Sequence, residues 1–359
     1  MLDNSILISI LGFLIILTPL VFIHELGHYL IAIKNNVKVD IFSVGFGKEI
    51  FGFNDKNGTR WKFCILPFGG YVKMKGELLV DEKNEHINDK SLGNFNQASL
   101  ISRFFIVFSG PLANIFFGVL LISLLYSLNG RLDSKPVVGE VIKGSSAFIS
   151  GVAKNDIILK VNEENINNFY ELRDIVQLNA NNQLELTIQR SSEILNLKIT
   201  PSPFYDKKSN KTVGRIGILS GKPKLVKLNL FSSIYYSIID TYTLTIQWVK
   251  GLWTLITLQA NKNDVAGPIG IAKISGDALT NGFFSIIFLM ALLSINLGLI
   301  NLLPIPGLDG GYISLYFIEF LFGKPLPKSL QLKLMQFGIF FLISLMIFIT
   351  LWDIKKWFV

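Results

Sequence analysis

The sequence predicts a polytopic α-helical membrane protein: about four transmembrane helices, a membrane-associated β-hairpin loop between the first two, and a small β-rich domain inserted after the second. Three observations carry this prediction. Half of the 359 residues are apolar and only 17% are charged, where soluble domains carry about 25%. Four windows lack charge over about the 20 residues that a bilayer crossing needs. The segment between the second and third windows instead shows strand alternation and turn signals. This balance excludes a disordered chain. A single cysteine, Cys64, excludes an intrachain disulfide and any multi-cysteine metal cluster. The net charge of +8 reads as loop and headgroup charge, and nothing else in the sequence supports a nucleic-acid partner.

Residues 1–34 form the first expected span, where Glu25 is the sole formal charge between Asn4 and Ile33. No basic segment precedes it and no small-residue cleavage site follows, so it reads as a retained helix and not a signal peptide. Residues 35–100 read as the β-loop and a polar linker. Phe42, Val44 and Phe46 alternate before Gly47, and Trp61, Phe63 and Ile65 alternate before Pro67. The second span is 101–130, uncharged between Arg103 and Arg131. The β-rich domain is 131–205, with strands at Val137–Ile142, Ile157–Val161 and around Leu184–Ile188, and a helix within Asn168–Ala180. Residues 206–280 read as a linker with an amphipathic helix over Leu228–Leu258. Asp240, Lys250 and scattered Tyr and Trp favour the membrane interface for that helix over a fifth span. The third membrane segment is 281–322, in a window whose sole charge is Asp309, and the last is 323–359.

An ionisable side chain inside a span is a functional hypothesis by default. Glu25 sits in His24-Glu25-Leu26-Gly27-His28. Four residues is a little over one helical turn, so both imidazoles project from one face and can share a zinc ion, with Glu25 able to act on water. Two of only three histidines fall in this pattern. At 1.5 Å per residue His28 is roughly 9 Å from Lys34 and His24 roughly 27 Å from Ile6, which puts a metal within the bilayer, nearer the β-loop face. A catalytic zinc needs a third protein ligand. His86 reads as an exposed linker residue and Cys64 as a small buried side chain of a strand. Asp309 remains, beside a helix break made by Pro304, Pro306, Gly307, Gly310 and Gly311, where open backbone is tolerated only around a cavity or inside protein. A solvated aspartate at the end of a span is the alternative reading.

The chain resembles the site-2 proteases, which are intramembrane zinc metalloproteases, in the branch of the bacterial regulator of sigma-E protease. The first-helix motif matches, and Asn301-Leu302-Leu303-Pro304-Ile305-Pro306-Gly307-Leu308-Asp309-Gly310-Gly311 matches the family's N-x-x-P-x-P-x-L-D-G-G. Gly110-Pro111-Leu112-Ala113-Asn114 resembles its second-span signature, Phe68 to Met74 its membrane-associated β-loop, and Gly267 to Ile271 its segment ahead of the ligand-bearing span. Residues 135–200 are similar to a PDZ domain, with Asn155 replacing the glycine before Asp156. A single PDZ domain fits here, where well-known members carry two.

The resemblance implies that Asp309 is the third zinc ligand beside His24 and His28, and that Glu25 is the general base. It favours Asn301 for holding substrate backbone or a developing oxyanion. Asn296 is a weaker candidate, whose plainer reading is a helix-packing amide. It further implies transmembrane protein substrates, membrane lipid as surroundings, a peptide ligand for the PDZ domain, and a bacterial inner membrane with that domain outside the cytoplasm. Two other classes compete. A silent PDZ scaffold does not need Glu25. A metal transporter predicts several sites and repeated halves, and this chain has one site and no repeat.

Overall fold

The computed structural model describes residues 4–76, 93–133, 135–206, 211–221, 224–257 and 266–358. His86 lies outside them. The chain divides into two compact units, one of residues 1–128 with 229–359 and one of 129–228.

The first unit begins with α1 (Asn4–Lys34), followed by β1 (Val39–Asn54), β2 (Arg60–Met74) and α2 (Leu100–Asn129). Both strands outrun the alternating stretches seen in the sequence. Gly45 and Gly47 adopt φ of +88° and +87°, a conformation that bends β1 without ending it. The ribbon also folds back on itself. Phe42–Val44 pair with Trp61–Phe63 on one side and with Gly70–Val72 on the other, so what reads as a simple hairpin becomes a broader sheet.

The inner face of this ribbon packs on the helices. Phe42, Val44 and Met74 share a core with Tyr29 and Ala32 of α1 and with Ile106 and Val107 of α2. Phe42 and Trp61 stack at 4.0 Å between ring centres. The turn joining the strands is tied down by Asp55, which accepts from Tyr29 Oη, Trp61 Nε1 and the amides of Asn57 and Thr59. Burial works against its charge, but these bonds outweigh it and hold the Asp55 carboxyl below the ordinary carboxylate range. Ile50, Phe51, Ile65 and Leu66 of the ribbon are exposed, which suits lipid contact.

The second unit contains β3 (Arg131–Asp133), β4 (Val138–Val141), α3 (Ser146–Ile149), β5 (Ile157–Val161), β6 (Glu164–Asn165), α4 (Phe169–Leu178), β7 (Leu184–Arg190) and β8 (Glu193–Ile199). It continues through β9 (Ser202–Asp206), β10 (Lys211–Arg215), β11 (Ile218–Ser220) and β12 (Lys224–Val226). A four-stranded sheet runs β6-β5-β7-β8, and β11 returns to pair with β4. Val138, Ile158, Leu172, Leu186 and Ile188 form its core. Asn155 sits at φ +71°, the left-handed conformation that asparagine tolerates in place of glycine. Beside it the fully buried Asp156 is held by Arg190 at 2.8 Å and by the Ala153 amide at 2.7 Å.

The first unit resumes with α5 (Leu230–Ile256), α6 (Pro268–Asn281), α7 (Phe283–Asn301), α8 (Asp309–Phe322) and α9 (Lys328–Phe358). Four of the described helices are long and apolar enough to cross a membrane: α1, α2, α7 and α9, with mean hydropathies of 2.9, 2.2, 2.4 and 2.4. The protein is thus a polytopic helical membrane protein with β structure between its first spans. α5 is a continuous helix outside that set. It buries Ser233, Ser237 and Thr241 and exposes Phe231, Tyr235, Ile238 and Tyr242, and Tyr126 Oη donates to its Asp240 at 2.6 Å.

α6 interrupts the region read as linker and interfacial helix. It crosses α1 on small residues: a Cβ at Gly12 would lie 2.4 Å from the Ser275 carbonyl, and one at Gly276 2.8 Å from Ser9 Cα. Its first amides are capped from α9, where the buried Asp353 accepts from Gly267 and Gly270 at 3.1 and 2.9 Å.

Candidate metal centre

α1 and α2 approach closely because both carry glycine where they meet. A Cβ on Gly27 would lie 2.4 Å from the Ser109 carbonyl, and one on Gly110 would lie 2.2 Å from His28 Nε2. Ser109 Oγ fastens the contact by donating to Gly27 O at 2.9 Å. Gly110 thereby leaves the space that the His28 ring fills. His28 Nδ1 stands 2.8 Å from Ile106 O. A carbonyl can only accept, so Nδ1 carries the hydrogen and Nε2 presents a lone pair.

Asp309 reaches the same point from the far side. The helix break read at Pro304–Gly311 is a tight loop, residues 302–308, between α7 and α8. The two glycines that open α8 just after it are sterically required. A Cβ at Gly310 would lie 2.1 Å from Leu303 O, and one at Gly311 2.5 Å from Ile305 O. α9 closes over the loop, with Gly338 against the Pro306 carbonyl. Asp309, the first residue of α8, is directed at the two histidines.

The resulting geometry is compact. His24 Nε2 and His28 Nε2 are 3.2 Å apart, and Asp309 Oδ2 lies 3.1 Å from the first and 3.5 Å from the second. Three ligands at about 2.0–2.1 Å in tetrahedral directions around zinc would stand roughly 3.3 Å from one another. Asp309 Oδ2 is buried and accepts no hydrogen bond, which is costly for an ionised oxygen unless a cation neutralises it. Two imidazole nitrogens at this distance can share a cation in place of a hydrogen. The donor set, its spacing and the orphaned oxygen all fit zinc with one coordination position left open.

Glu25, also buried, stands beside the first histidine. β2 runs past it: the Val72 backbone is within hydrogen-bond reach of its carboxylate, and a Cβ at Gly70 would lie 3.1 Å from Glu25 Cγ. Cys64 is buried in the ribbon, 3.5 Å from Ser43 Oγ, and is not part of the cluster. Asn296 and Asn301 are half-buried on α7, and neither side chain is hydrogen-bonded to the cluster. Asn114, read from the sequence only as part of a longer signature, is fully buried with Nδ2 3.2 Å from His24 Nδ1. Its signal was available: it is the one carboxamide between Arg103 and Leu128, in a span with no charge.

Known proteins resemble this chain over nearly its whole length. The family model described as Peptidase family M50 matches residues 12–345. A relative from Rickettsia conorii, named "Putative zinc metalloprotease", is 36% identical over 98% of this chain and 100% of its own. Relatives of the same name from Agrobacterium fabrum and Campylobacter jejuni are each 33% identical, over 97% of this chain and 96% and 94% of theirs. Among solved structures, the PDZ domain of an SdrC-like protein from Listeria monocytogenes matches 25% of this chain and 90% of its own, at 18% identity and a TM-score of 0.21. The match spans nearly the whole chain, and it shows that this protein belongs to peptidase family M50, as a zinc-dependent metalloendopeptidase.

Proposed function

We propose that the protein hydrolyses peptide bonds within or next to transmembrane segments of other membrane proteins, with zinc held by His24, His28 and Asp309. The observation that carries this is the 3.1–3.5 Å triangle of Nε2, Nε2 and Oδ2 set among membrane-spanning helices with Glu25 beside it. Bound there, zinc supplies Lewis-acid polarisation of the scissile carbonyl and a lowered pKa for water. Glu25 takes the water proton and delivers it to the departing amine. Asn301, at the end of α7, is the proposed carboxamide for substrate backbone or developing negative charge, with Asn296 second.

A helical substrate hides its carbonyls in hydrogen bonds, so it must be drawn out before cleavage. Gly70–Val72 pair with Phe42–Val44 on one side and pass Glu25 on the other. An extended substrate added along this strand would present its backbone to Glu25. The substrates that fit are single-pass proteins, an anti-sigma-factor-like protein in regulated intramembrane proteolysis, or signal-peptide remnants. The setting is the bacterial inner membrane, with the 131–205 domain outside the cytoplasm, where it takes a peptide ligand.

The reading is tested by incubating the purified protein with single-pass membrane proteins and mapping product termini by mass spectrometry. Cleavage inside or beside the transmembrane segment is expected. Cleavage confined to soluble domains, or metal flux in proteoliposomes without cleavage, contradicts it. Gly110 offers a sharper structural check. In Gly110→Ala the new methyl must displace the His28 ring or part α1 from α2, so zinc content and cleavage rate are expected to fall at least about tenfold. Metal analysis with a rate measurement reads both.

A further inference from the structure

The two histidines present the same nitrogen to the metal position, yet only one of them has an evident means of doing so. His28 is oriented by a backbone carbonyl, Ile106 O at 2.8 Å from its Nδ1. No backbone carbonyl among the described residues takes that role for His24. Among the described residues, the group within hydrogen-bond reach of His24 Nδ1 is the Asn114 carboxamide, at 3.2 Å. Asn114 lies at 0% exposure, and its backbone carbonyl accepts from Ser294 Oγ at 2.7 Å, so its backbone is tied to α7 at this point.

Which carboxamide atom faces the ring decides what the ring can do. The nitrogen is placed there, which would donate to His24 Nδ1 and leave the ring hydrogen on Nε2, pointing into the cluster. The oxygen and nitrogen of an amide are assigned from their partners, not from shape. As placed, Oδ1 has no partner, and that alone does not choose between the two orientations. The opposite end of the imidazole does. For Nε2 to be a metal ligand it must be bare, so Nδ1 carries the hydrogen and needs an acceptor. The only acceptor Asn114 offers is Oδ1.

We infer that Asn114 is a positioning residue for the metal centre: its side-chain oxygen accepts the Nδ1 hydrogen of His24 and keeps Nε2 free and aimed at zinc. It does for His24 what the Ile106 carbonyl does for His28. Outer partners of this kind commonly set the orientation and basicity of zinc-bound histidines. The inference rests on the metal-site reading above and adds to it a residue that touches neither substrate nor metal.

The test measures zinc affinity by competition with a chromogenic chelator, using full-length protein in detergent, with thermal unfolding as the folding control. Asn114→Leu removes the acceptor at similar volume and is expected to weaken zinc binding roughly 10- to 100-fold. Asn114→Asp keeps an acceptor and, when ionised, cannot donate, so its affinity is expected to stay within about threefold of wild type or to tighten. Wild-type affinity in the leucine variant overturns the inference. So does an aspartate variant that loses as much as leucine, because the amide is then a donor or mere packing. If the leucine variant does not fold, the aspartate comparison decides alone: retained affinity supports acceptance and a tenfold loss refutes it. A His24→Ala control separates the two levels, since unchanged zinc affinity there would place the failure in the ligand set itself.

Discussion

Glu25→Gln is expected to stop peptide hydrolysis while leaving zinc in place. The substitution preserves size and hydrogen-bonding reach but removes the one group beside the cluster able to take a proton from water and return it to the leaving nitrogen. General acid–base catalysis contributes about 10²–10⁴-fold. Glu25 is asked to serve in both directions of that transfer, so the loss is expected at the upper end of the range. Zinc binding should survive because Glu25 contributes no atom to the triangle formed by His24, His28 and Asp309. Single-turnover cleavage with parallel metal analysis measures both. A variant that keeps its zinc and cleaves within tenfold of wild type would remove Glu25 from the chemistry.

Asp309→Ala is expected to lose both zinc and activity. The carboxylate is the only negatively charged member of the triangle, and its Oδ2 has no other partner. Losing an outer partner already costs 10- to 100-fold in metal affinity, so deleting a ligand should cost at least about 100-fold. The fold around it should persist, because the tight loop depends on Gly310, Gly311 and the Gly338 contact, not on the carboxylate. Zinc titration distinguishes this from general unfolding: the variant should unfold cooperatively yet bind zinc only weakly. Wild-type zinc content in Asp309→Ala would mean that another group completes the site.

These expectations show how unevenly the site was legible in the sequence. His24 and His28 were readable because helical periodicity alone puts residues four apart on one face. The break before Asp309 was equally plain, since Pro304, Pro306 and Gly307 interrupt an apolar helix. The meeting of Asp309 with the histidines is a tertiary fact, which spacing left open and the packing of α1, α2 and α8 supplies. Asn114 was visible only as part of a longer signature, because an amide in a span reads the same whether it packs between helices or supports a histidine. The ribbon escaped for a different reason. Period-2 alternation marks a strand but does not say how many partners it takes, and Phe42–Val44 take two. α6 was not separated from its surroundings because its closest approach to α1 is at Gly12, Gly276 and Ser275, whose small size carries no strong hydrophobic signal.

Zinc X-ray absorption on the purified protein reads the donor set around the metal without depending on substrate or activity. Nitrogen and oxygen scatterers at about 2.0–2.1 Å are expected, with the outer-shell signature of two imidazoles, one of which disappears in His24→Ala. A sulfur scatterer near 2.3 Å, which only Cys64 or a methionine could supply, or an imidazole count unchanged in His24→Ala, would contradict this ligand set.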